Sequence, residues 1–282
     1  MILCAGLGTR LRPLTDEIAK PMVPVGDLPA VAHVAARVRL MSPARIVVNV
    51  HHRPDDLRAW AEGEQVAVSH EPELLGTAGG VAGAAALLGE GDVLVWNGDI
   101  LSDFDPRELF ACAGAERDSR ATLAVHERPA GQGNVGFRAD GRIVRLRTSS
   151  FGPEDHGGDF LGIHRIGEAL RPLLPATGCL VGDVYIPALA RGERLEVHVT
   201  KASFVDIGSL AQYLAANAAW LRGRGVSSWA HPSASINAPI DGSVVGAGAV
   251  VDAAVASSVV WPGAHVERAC SGAVVTKRGV AS

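Results

Sequence analysis

Residues 3–15 of the chain read LCAGLGTRLRPLT, and Lys20-Pro21-Met22 follows shortly after. The stretch joins a short apolar strand to a glycine-rich turn that carries cations. Gly6 and Gly8 let the backbone come close to an anion, so that successive N–H groups can converge on it. Arg10 offers a planar fork of donors that matches phosphate oxygens, and Lys20 adds a compact charge on a flexible stem. The stretch therefore predicts a polyphosphate-binding loop after a first β-strand; a plain glycine-rich turn is the alternative.

This loop differs from the two commonest nucleotide-binding loops. A dinucleotide fingerprint would need a third glycine where Leu11 stands, and a Walker loop would need Gly-Lys-Ser/Thr in the turn. The full pattern, Gly-x-Gly-Thr-Arg-Leu-x-Pro-Leu-Thr with Lys-Pro downstream, resembles the signature of the sugar-1-phosphate nucleotidyltransferases. The resemblance implies two overlapping sets of residues: nucleotide-binding Gly6, Gly8, Thr9 and Arg10, and catalytic Arg10 and Lys20.

Length and composition set broad bounds on the class of protein. With 282 residues, 48% of them hydrophobic and 20% charged, the chain can hold one large domain and a smaller appendage. The net charge of -4 gives no reason to expect nucleic acid binding, so a polyanionic substrate needs local cations or a metal. We find no signal-peptide pattern and no apolar run of about 18 residues. We therefore expect a cytoplasmic protein without a membrane partner.

Strand-like and helix-like patterns alternate along the first two thirds of the chain. Apolar, β-rich runs occur at Arg45–Val50, Val66–Ser69, Asp92–Trp96 and Ala121–His126. Alternation of this kind predicts βαβ units, that is, an α/β fold with a Rossmann-like, mostly parallel sheet and helices on both faces. Residues 134–205 carry several short strands and predict a mixed extension of that sheet. A last helix, Ser209–Leu221, is predicted to be capped by Ser209.

The C-terminal part of the chain has a different sequence pattern from the rest. Valines recur six residues apart at 245/251 and at 260/266, with small residues between them. This resembles a hexapeptide left-handed β-helix, whereas an ordinary β-rich tail is the alternative. We therefore expect a catalytic domain at 1–222, a linker at 223–229 and a short β-helix at 230–282. The open ends of such a short solenoid are expected to pack against the catalytic domain or a second subunit, which would make a homo-oligomer.

Two aspartates are candidates for metal binding. Asp99 follows the apolar strand that ends at Trp96, and ligands of open α/β sheets bind at the carboxyl ends of strands. Asp206 stands just before the final predicted helix. Carboxylates are the hard oxygen donors that magnesium prefers. The pair resembles elements with which the family holds Mg²⁺ against the α-phosphate; for each aspartate alone, a turn or a helix cap is the alternative.

Residues 70–80 read HEPELLGTAGG and form a third candidate segment, after the phosphate loop and the two aspartates. Glycines there leave room for a flat base against the backbone, and the N–H groups of a helix start could read its edge. The segment resembles the base-reading part of the family, in wording nearest to guanylyltransferases of the mannose-1-phosphate type. The resemblance implies nucleotide binding by Glu71, Gly76, Thr77 and Gly79, while a glycine-softened helix start is the alternative.

The sugar side of the site carries a weaker pattern. Gly136 and Gly162 match glycines that line the sugar pocket in the family. Many relatives also carry a Glu-Lys pair before the second glycine, with the lysine on the sugar phosphate, but residues 147–159 contain no lysine. Arg147, His156 or Lys201 could replace that cation.

The resemblance implies a reaction between a nucleoside triphosphate and a sugar 1-phosphate that yields an NDP-sugar and pyrophosphate, with Mg²⁺ as cofactor. GTP with mannose 1-phosphate is the first expectation. A UTP- or dTTP-dependent enzyme for another hexose or amino sugar, including one for cell-wall sugar recycling, is the alternative. A catalytically silent, nucleotide-sugar-binding regulatory subunit is a second alternative, although such subunits typically lose cations of the loop.

Overall fold

The structure is a computed structural model that describes residues 1–111 and 119–282. The described chain divides into two compact units. The first, here the sheet unit, comprises Met1–Gly6 and Val34–Phe204. The second, here the β-helix unit, comprises Leu7–His33 and Val205–Ser282. The predicted domain and linker boundaries stay predictions.

Short strands make up much of both units. Their bounds are β1 Ile2–Leu3, β2 Pro24–Val25, β3 Leu28–Pro29, β4 Val47–Val50, β5 Ala67–His70, β6 Val93–Asn97, β7 Ile100–Ser102, β8 Ala121–Pro129, β9 Val135–Phe137, β10 Ile143–Leu146, β11 Ser149–Ser150, β12 His156–Ile166, β13 Leu195–Val199, β14 Phe204–Asp206, β15 Trp229–Ala230, β16 Ser235–Ile236, β17 Ile240–Asp241, β18 Val244–Val245, β19 Val250–Val251, β20 Val255–Ala256, β21 Val259–Val260, β22 His265–Val266, β23 Cys270–Ser271, β24 Val274–Thr276 and β25 Gly279–Ala281.

Helices occupy the connections between many of these strands. The α-helices are α1 Leu14–Glu17, α2 Ala30–Val38, α3 Pro54–Gly63, α4 Gly76–Gly83, α5 Ala85–Leu88, α6 Arg107–Ala111, α7 Ile186–Ala190 and α8 Leu210–Gly223. Short 3-10 helices lie at Thr9–Leu11, Lys20–Met22, Arg39–Met41 and Glu168–Leu173, and a π-helix lies at Leu180–Tyr185. Within residues 1–111 and 119–282 we find no helix with the length and apolar character needed to cross a bilayer.

The sheet unit is built on a mixed sheet with the strand order β11-β10-β9-β12-β6-β1-β4-β5; in addition, β8 pairs with β12, and β13 pairs with β8. Its centre, β6-β1-β4-β5, is parallel. Strand β4 is buried along its whole length, as expected for a parallel strand that is covered on both faces. The predictions of a mostly parallel α/β core and of a mixed extension are confirmed.

One edge of this sheet collects the carboxyl ends of several strands. Strand β12 runs antiparallel to both β6 and β8, so β8 runs parallel to β6, and β13 runs parallel to β8. The carboxyl ends of β1, β4, β5, β6, β8 and β13 therefore lie at the same edge. Ligands of open α/β sheets bind at such an edge. Beneath it, Trp96, Leu123 and Ile143 are among the fully buried side chains of the core.

In the β-helix unit, α8 packs on the β2–β3 hairpin. The Tyr213 hydroxyl donates to the Pro24 carbonyl at 2.5 Å, and the Gly26 N–H donates to Asn217 Oδ1 at 2.9 Å. The helix begins as predicted, because the Ser209 hydroxyl caps it by accepting from the Gln212 N–H.

The tail forms the predicted short β-helix, but its repeat differs from the expected one. Strands stack with Trp229 over Val244, Val244 over Val259 and Val259 over Val274. A coil therefore contains 15 residues rather than the about 18 that three hexapeptides would give. The first residues of β18 and β19 are six positions apart, those of β19 and β20 are five apart, and those of β20 and β21 are four apart. The hexapeptide spacing thus holds on one side of the coil only.

A buried serine ladder accounts for the shortest side of the coil. Ser258 donates its N–H to Ser243 Oγ at 3.1 Å, and its own hydroxyl accepts the Ala273 N–H at 3.0 Å. Hydroxyl groups thus replace backbone partners where the chain turns after four residues, and both serines are fully buried. The six-residue valine pattern is interrupted at this position for that reason.

Candidate active site

Of the predicted phosphate loop, Gly6 belongs to the sheet unit, whereas Gly8, Thr9 and Arg10 belong to the β-helix unit, where the turn depends on Gly8. Gly8 has φ +65°, a left-handed conformation that glycine adopts without strain. A Cβ at this position would also lie 2.7 Å from Thr15 Cγ2. The Gly8 carbonyl accepts from the Thr15 hydroxyl and from the Leu11 N–H, both at 2.9 Å. The turn is therefore held in shape before any ligand binds, and Thr9 and Arg10 begin the short 3-10 helix that follows it.

Three of the predicted residues meet at one carboxylate. Arg10 Nη2 lies 3.8 Å from Asp206 Oδ2, and Lys20 Nζ lies 3.8 Å from Asp206 Oδ1. The Lys20 side chain is 10% exposed and the Arg10 side chain 70% exposed. Both contacts are ion pairs that are longer than an ordinary hydrogen bond. An arriving phosphate group would meet two positive charges near one negative charge.

Gly208 is a further residue of this site that the sequence reasoning did not select. A Cβ there would lie 2.9 Å from Arg10 Nη1 and 3.0 Å from Asp206 Oδ2. The glycine therefore lets the guanidinium approach the carboxylate. The Asp-x-Gly spacing at 206–208 is the signal that could have identified it.

Glu71 occupies a different environment in the sheet unit. It is 1% exposed; its Oε1 accepts from Asn49 Nδ2 at 2.7 Å, and its Oε2 accepts from the Leu75 N–H at 3.1 Å. Asn49 Oδ1 in turn accepts the Cys4 N–H at 2.7 Å. The carboxylate thus connects β4 to the loop before α4, and Asn49 extends the connection to the residue after β1. Its predicted nucleotide contact stays a prediction, since the contacts in the structure are those of a scaffold.

The glycines at the start of α4 pack against a neighbouring loop. A Cβ on Gly76 would lie 2.4 Å from the Gly178 carbonyl oxygen, and one on Gly79 would lie 2.4 Å from the Ala176 carbonyl oxygen. The Thr77 hydroxyl accepts the Leu180 N–H at 2.8 Å. The lack of side chains at these glycines therefore serves close backbone packing, and base binding by Gly76, Thr77 and Gly79 stays a prediction.

Asp99 lies at the carboxyl edge of the sheet, in the turn after β6, where it is partly buried. Gly98 before it makes room for Cys4, whose Sγ would lie 2.6 Å from a Cβ. Burial raises the pKa of the Cys4 thiol, and the charge of Asp99 adds to the effect, so the thiol stays neutral. Asp99 belongs to the sheet unit and Asp206 to the β-helix unit, so a shared magnesium ion stays a prediction.

The two predicted sugar-site glycines each accommodate a polar side chain. A Cβ on Gly162, which has φ +72°, would lie 2.7 Å from Asn97 Nδ2. A Cβ on Gly136 would overlap the carboxylate of Glu154. Arg145 grips that carboxylate with two hydrogen bonds of 2.7 and 3.1 Å, and this contact holds the pKa of Glu154 below its usual value. The Gly131 N–H donates to the same carboxylate.

The three candidate replacements for the missing lysine have different partners. Arg147, in the turn between β10 and β11 with φ +56°, donates to Cys179 Sγ at 3.3 Å. His156 Nδ1 lies 2.8 Å from Glu127 Oε1. Lys201 is exposed and lines a cavity at the edge of the sheet. Within residues 1–111 and 119–282, the contacts described for these three side chains are therefore with residues other than Gly136 and Gly162.

Comparison with known proteins matches residues 1–147 to the family model described as "Nucleotidyl transferase". A relative, the N-acetylmuramate alpha-1-phosphate uridylyltransferase of Neisseria meningitidis, is 32% identical over 77% of the chain and 96% of its own length. The chain belongs to the nucleotidyl transferase family. The expected enzyme class, a nucleotidyltransferase, is thereby confirmed.

A second curated relative matches over less of its own length than the Neisseria enzyme. The probable mannose-1-phosphate guanylyltransferase 2 of Arabidopsis thaliana is 26% identical over 76% of the chain and 62% of its length. Among solved structures, HddC of Yersinia pseudotuberculosis in complex with GMP-PN has a TM-score of 0.64 at 22% identity and covers 78% of the chain and 97% of HddC. That likeness shows the fold.

Sequence reasoning missed two sets of residues that hold predicted site residues of this nucleotidyltransferase in place. Asn49 is a buried amide in the otherwise apolar strand β4, and a polar residue inside such a strand is the signal for a partner. The half-buried Arg145–Glu154 pair leaves no comparable signal, because its members are nine positions apart in sequence, one in β10 and the other in the loop before β12.

Proposed function

We propose that this nucleotidyltransferase joins a nucleoside triphosphate to a sugar 1-phosphate, with release of pyrophosphate. The observation that supports the proposal most is the meeting of Arg10 and Lys20 at Asp206, beside the Gly8 turn. A turn of N–H groups with two cations suits the charge of a triphosphate tail better than any neutral ligand. The sugar 1-phosphate needs no protein base, since its second pKa near 6 leaves it mostly ionised at pH 7, as in other phosphate monoesters.

In the proposed reaction, an oxygen of the sugar phosphate forms a bond to the α-phosphorus, while the bond from that phosphorus to the bridging oxygen of the leaving pyrophosphate breaks. Arg10 and the N–H groups of the loop hold the β- and γ-phosphates. Lys20 neutralises the charge that grows on the leaving oxygen. Positioning and charge neutralisation are thus the contributions of the protein.

Magnesium fits the donor set of the predicted residues, because Asp99 and Asp206 offer carboxylate oxygens. We find no cluster of three or more His, Cys, Asp or Glu that could hold a metal within the part of the chain that the structure describes. A site with the two carboxylates of Asp99 and Asp206 would still suit magnesium, because proteins usually hold this ion through one or two carboxylates plus substrate phosphates. When bound, the ion would neutralise phosphate charge.

We propose two substrate pairs, each of which one relative supports. GTP with mannose 1-phosphate is the first, and the Arabidopsis relative supports it. UTP with an amino-sugar 1-phosphate is the second, and the match over 96% of the Neisseria uridylyltransferase favours it. We place the reaction in the cytoplasm, and we propose that an open end of the β-helix can contact a second copy of the chain.

Pyrophosphate release from the purified chain tests the function. The protein is incubated with Mg²⁺, each nucleoside triphosphate in turn, and a panel of sugar 1-phosphates. We expect release that depends on both substrates, and its loss in Lys20→Ala but not in Lys277→Ala, a matched lysine of the β-helix. No release with any pair, together with measurable binding of NDP-sugars, would instead show a regulatory subunit.

A further inference from the structure

A cavity of about 590 Å³ opens in the sheet unit where β8 and β13 end and β12 begins. Its volume lies within the range of small-molecule sites. The lining comprises His126, Glu127, Arg128, Pro129, Ala130, Asp155, His156, Val199, Thr200 and Lys201. The proposed function assigns no role to this cavity.

The cavity adjoins the predicted sugar-binding strands. His156 in its wall directly precedes Gly157, which pairs with Gly136 across the β9–β12 ladder. The cavity also lies at the carboxyl edge of the sheet, two strand spacings from β6, which is about 10 Å. That span matches the reach of a hexose with a substituent. A sugar that stands over Gly162, beside β6, would therefore direct one of its substituents toward the cavity.

Three charged side chains of the cavity wall, Glu127, Arg128 and Asp155, each have a partner in the protein. Glu127 lies 2.8 Å from His156, and Arg128 lies 2.7 Å from Asp159. Asp155 accepts the Ala139 N–H at 2.9 Å. Among residues 1–111 and 119–282, Lys201 has no carboxylate within ion-pair distance. The Lys201 ammonium group thus has no ion pair in the described chain, although the carboxylates of Glu127 and Asp155 line the same cavity.

The backbone around Lys201 is fixed on both sides. The Thr200 N–H donates to the Val125 carbonyl at 2.9 Å, and the Ala202 carbonyl accepts from His126 Nε2 at 2.8 Å. The Ala202 N–H in addition donates to the Thr200 hydroxyl at 3.1 Å. Because these bonds already hold the main chain, an ion pair between Lys201 and a ligand costs only the conformational entropy of the lysine side chain.

We infer that this cavity receives an acidic substituent of the sugar, and that Lys201 binds its carboxylate. Val199, Pro129 and Ala130 give the same cavity apolar walls, which suit the carbon atoms that connect a carboxylate to a sugar ring. The inference rests on the proposed function and names its substrate class: a sugar 1-phosphate that carries a carboxylate. Lys201 is then a specificity-determining residue and takes no part in the chemical step.

A matched pair of substrates tests the inference. N-acetylmuramate 1-phosphate is N-acetylglucosamine 1-phosphate with a lactyl ether, so the two sugars differ by one carboxylate-bearing group. We expect Lys201→Met to raise KM for the acidic sugar about tenfold to a hundredfold, as for the loss of a charge-assisted hydrogen bond. Its kcat, and the KM for the neutral sugar, should stay unchanged. Lys201→Arg should restore most of the affinity, and Lys277→Met should behave as the wild type.

Three results would overturn the inference: a preference for the neutral sugar, an equal rise of KM for both sugars in Lys201→Met, or an unchanged KM for the acidic sugar. Each leaves the proposed function standing, because pyrophosphate is still released. Failure to release pyrophosphate with any sugar 1-phosphate would instead contradict the proposed function itself. Thermal unfolding of Lys201→Met, which should match the wild type because the side chain is exposed, excludes misfolding as the cause.

Discussion

The phosphate loop with Asp206 and the buried site around Glu71 were predicted from neighbouring parts of one motif set, yet they have opposite characters. In the first, two cations lie 3.8 Å from one carboxylate. In the second, both carboxylate oxygens accept hydrogen bonds of 2.7 and 3.1 Å from the protein. Charges at long range can change partners when a ligand arrives, whereas a saturated buried carboxylate cannot without loss of stability. Geometry thus separates residues for chemistry from residues that hold the scaffold.

Lys20→Ala should have the largest effect and should act on turnover. Loss of one charge that stabilises the leaving group is expected to lower kcat about a hundredfold to a thousandfold. The unfolding midpoint should change little, because Asp206 keeps Arg10 as a partner. Pyrophosphate release and circular dichroism measure the two quantities. Turnover like that of the wild type would remove Lys20 from the mechanism.

Glu71→Ala should act on stability instead. The change strands the buried Asn49 amide and the Leu75 N–H, so we expect a loss of about 3 kcal/mol in the free energy of unfolding. Urea denaturation measures it, and Glu71→Gln, which keeps an acceptor, should lose less. If Glu71→Gln left stability intact but abolished nucleotide binding, Glu71 would be a ligand and the contrast between the two regions would fail.

Asp99→Asn tests the magnesium prediction. Replacement of the carboxylate by an amide removes the charge that a hard cation prefers. We expect the Mg²⁺ concentration for half-maximal activity to rise about tenfold or more, consistent with the loss of one charged ligand. Asp105→Asn, whose carboxylate pairs with Arg107 on the surface, is the matched control. Identical metal titrations for both variants would exclude Asp99 as a ligand.

The smallest effect concerns pH and the Arg145–Glu154 pair. Arg145 holds the pKa of Glu154 below its usual 4.5, so the folded chain binds this proton less readily than the unfolded chain. The pair therefore contributes stability above about pH 4.5, and that contribution is lost as pH falls through the lower folded value. Unfolding midpoints of Glu154→Gln between pH 7 and pH 3 should fall less steeply than those of the wild type. Parallel curves would show that the pair carries no such linkage.

Sequence reasoning succeeded where a short pattern is tied to a local conformation. The α/β core followed from the alternation of strand and helix patterns, and the β-helix followed from repeated valines. The family resemblance selected Lys20 for catalysis and Asp206, with Asp99, for magnesium; the contact between Lys20 and Asp206 is a finding of the structure. Sequence reasoning failed where the structure depends on contacts between distant residues. The 15-residue coil contains the hydrogen bond between Ser258 and Ser243, and the spacing of valines gives no sign of it.

Glycines were the hardest residues to interpret before the structure. Gly76 and Gly79 suggested room for a base, but the backbone of 176–178 fills the space of their missing side chains. A glycine in the sequence indicates only that another group packs closely against it. Here that group is a backbone segment about 100 residues away in the sequence. The same holds for Gly136, whose neighbour is the Glu154 carboxylate.

The central claim is that the loop at Gly8–Arg10, with Lys20, grips the triphosphate tail. A solved complex of the full chain with Mg²⁺ and a nucleoside triphosphate tests it most directly. We predict phosphate oxygens within hydrogen-bond distance of the loop N–H groups and the Arg10 guanidinium, with Lys20 turned from Asp206 toward phosphate. A triphosphate bound elsewhere, with Arg10 and Lys20 still beside Asp206, would contradict the account.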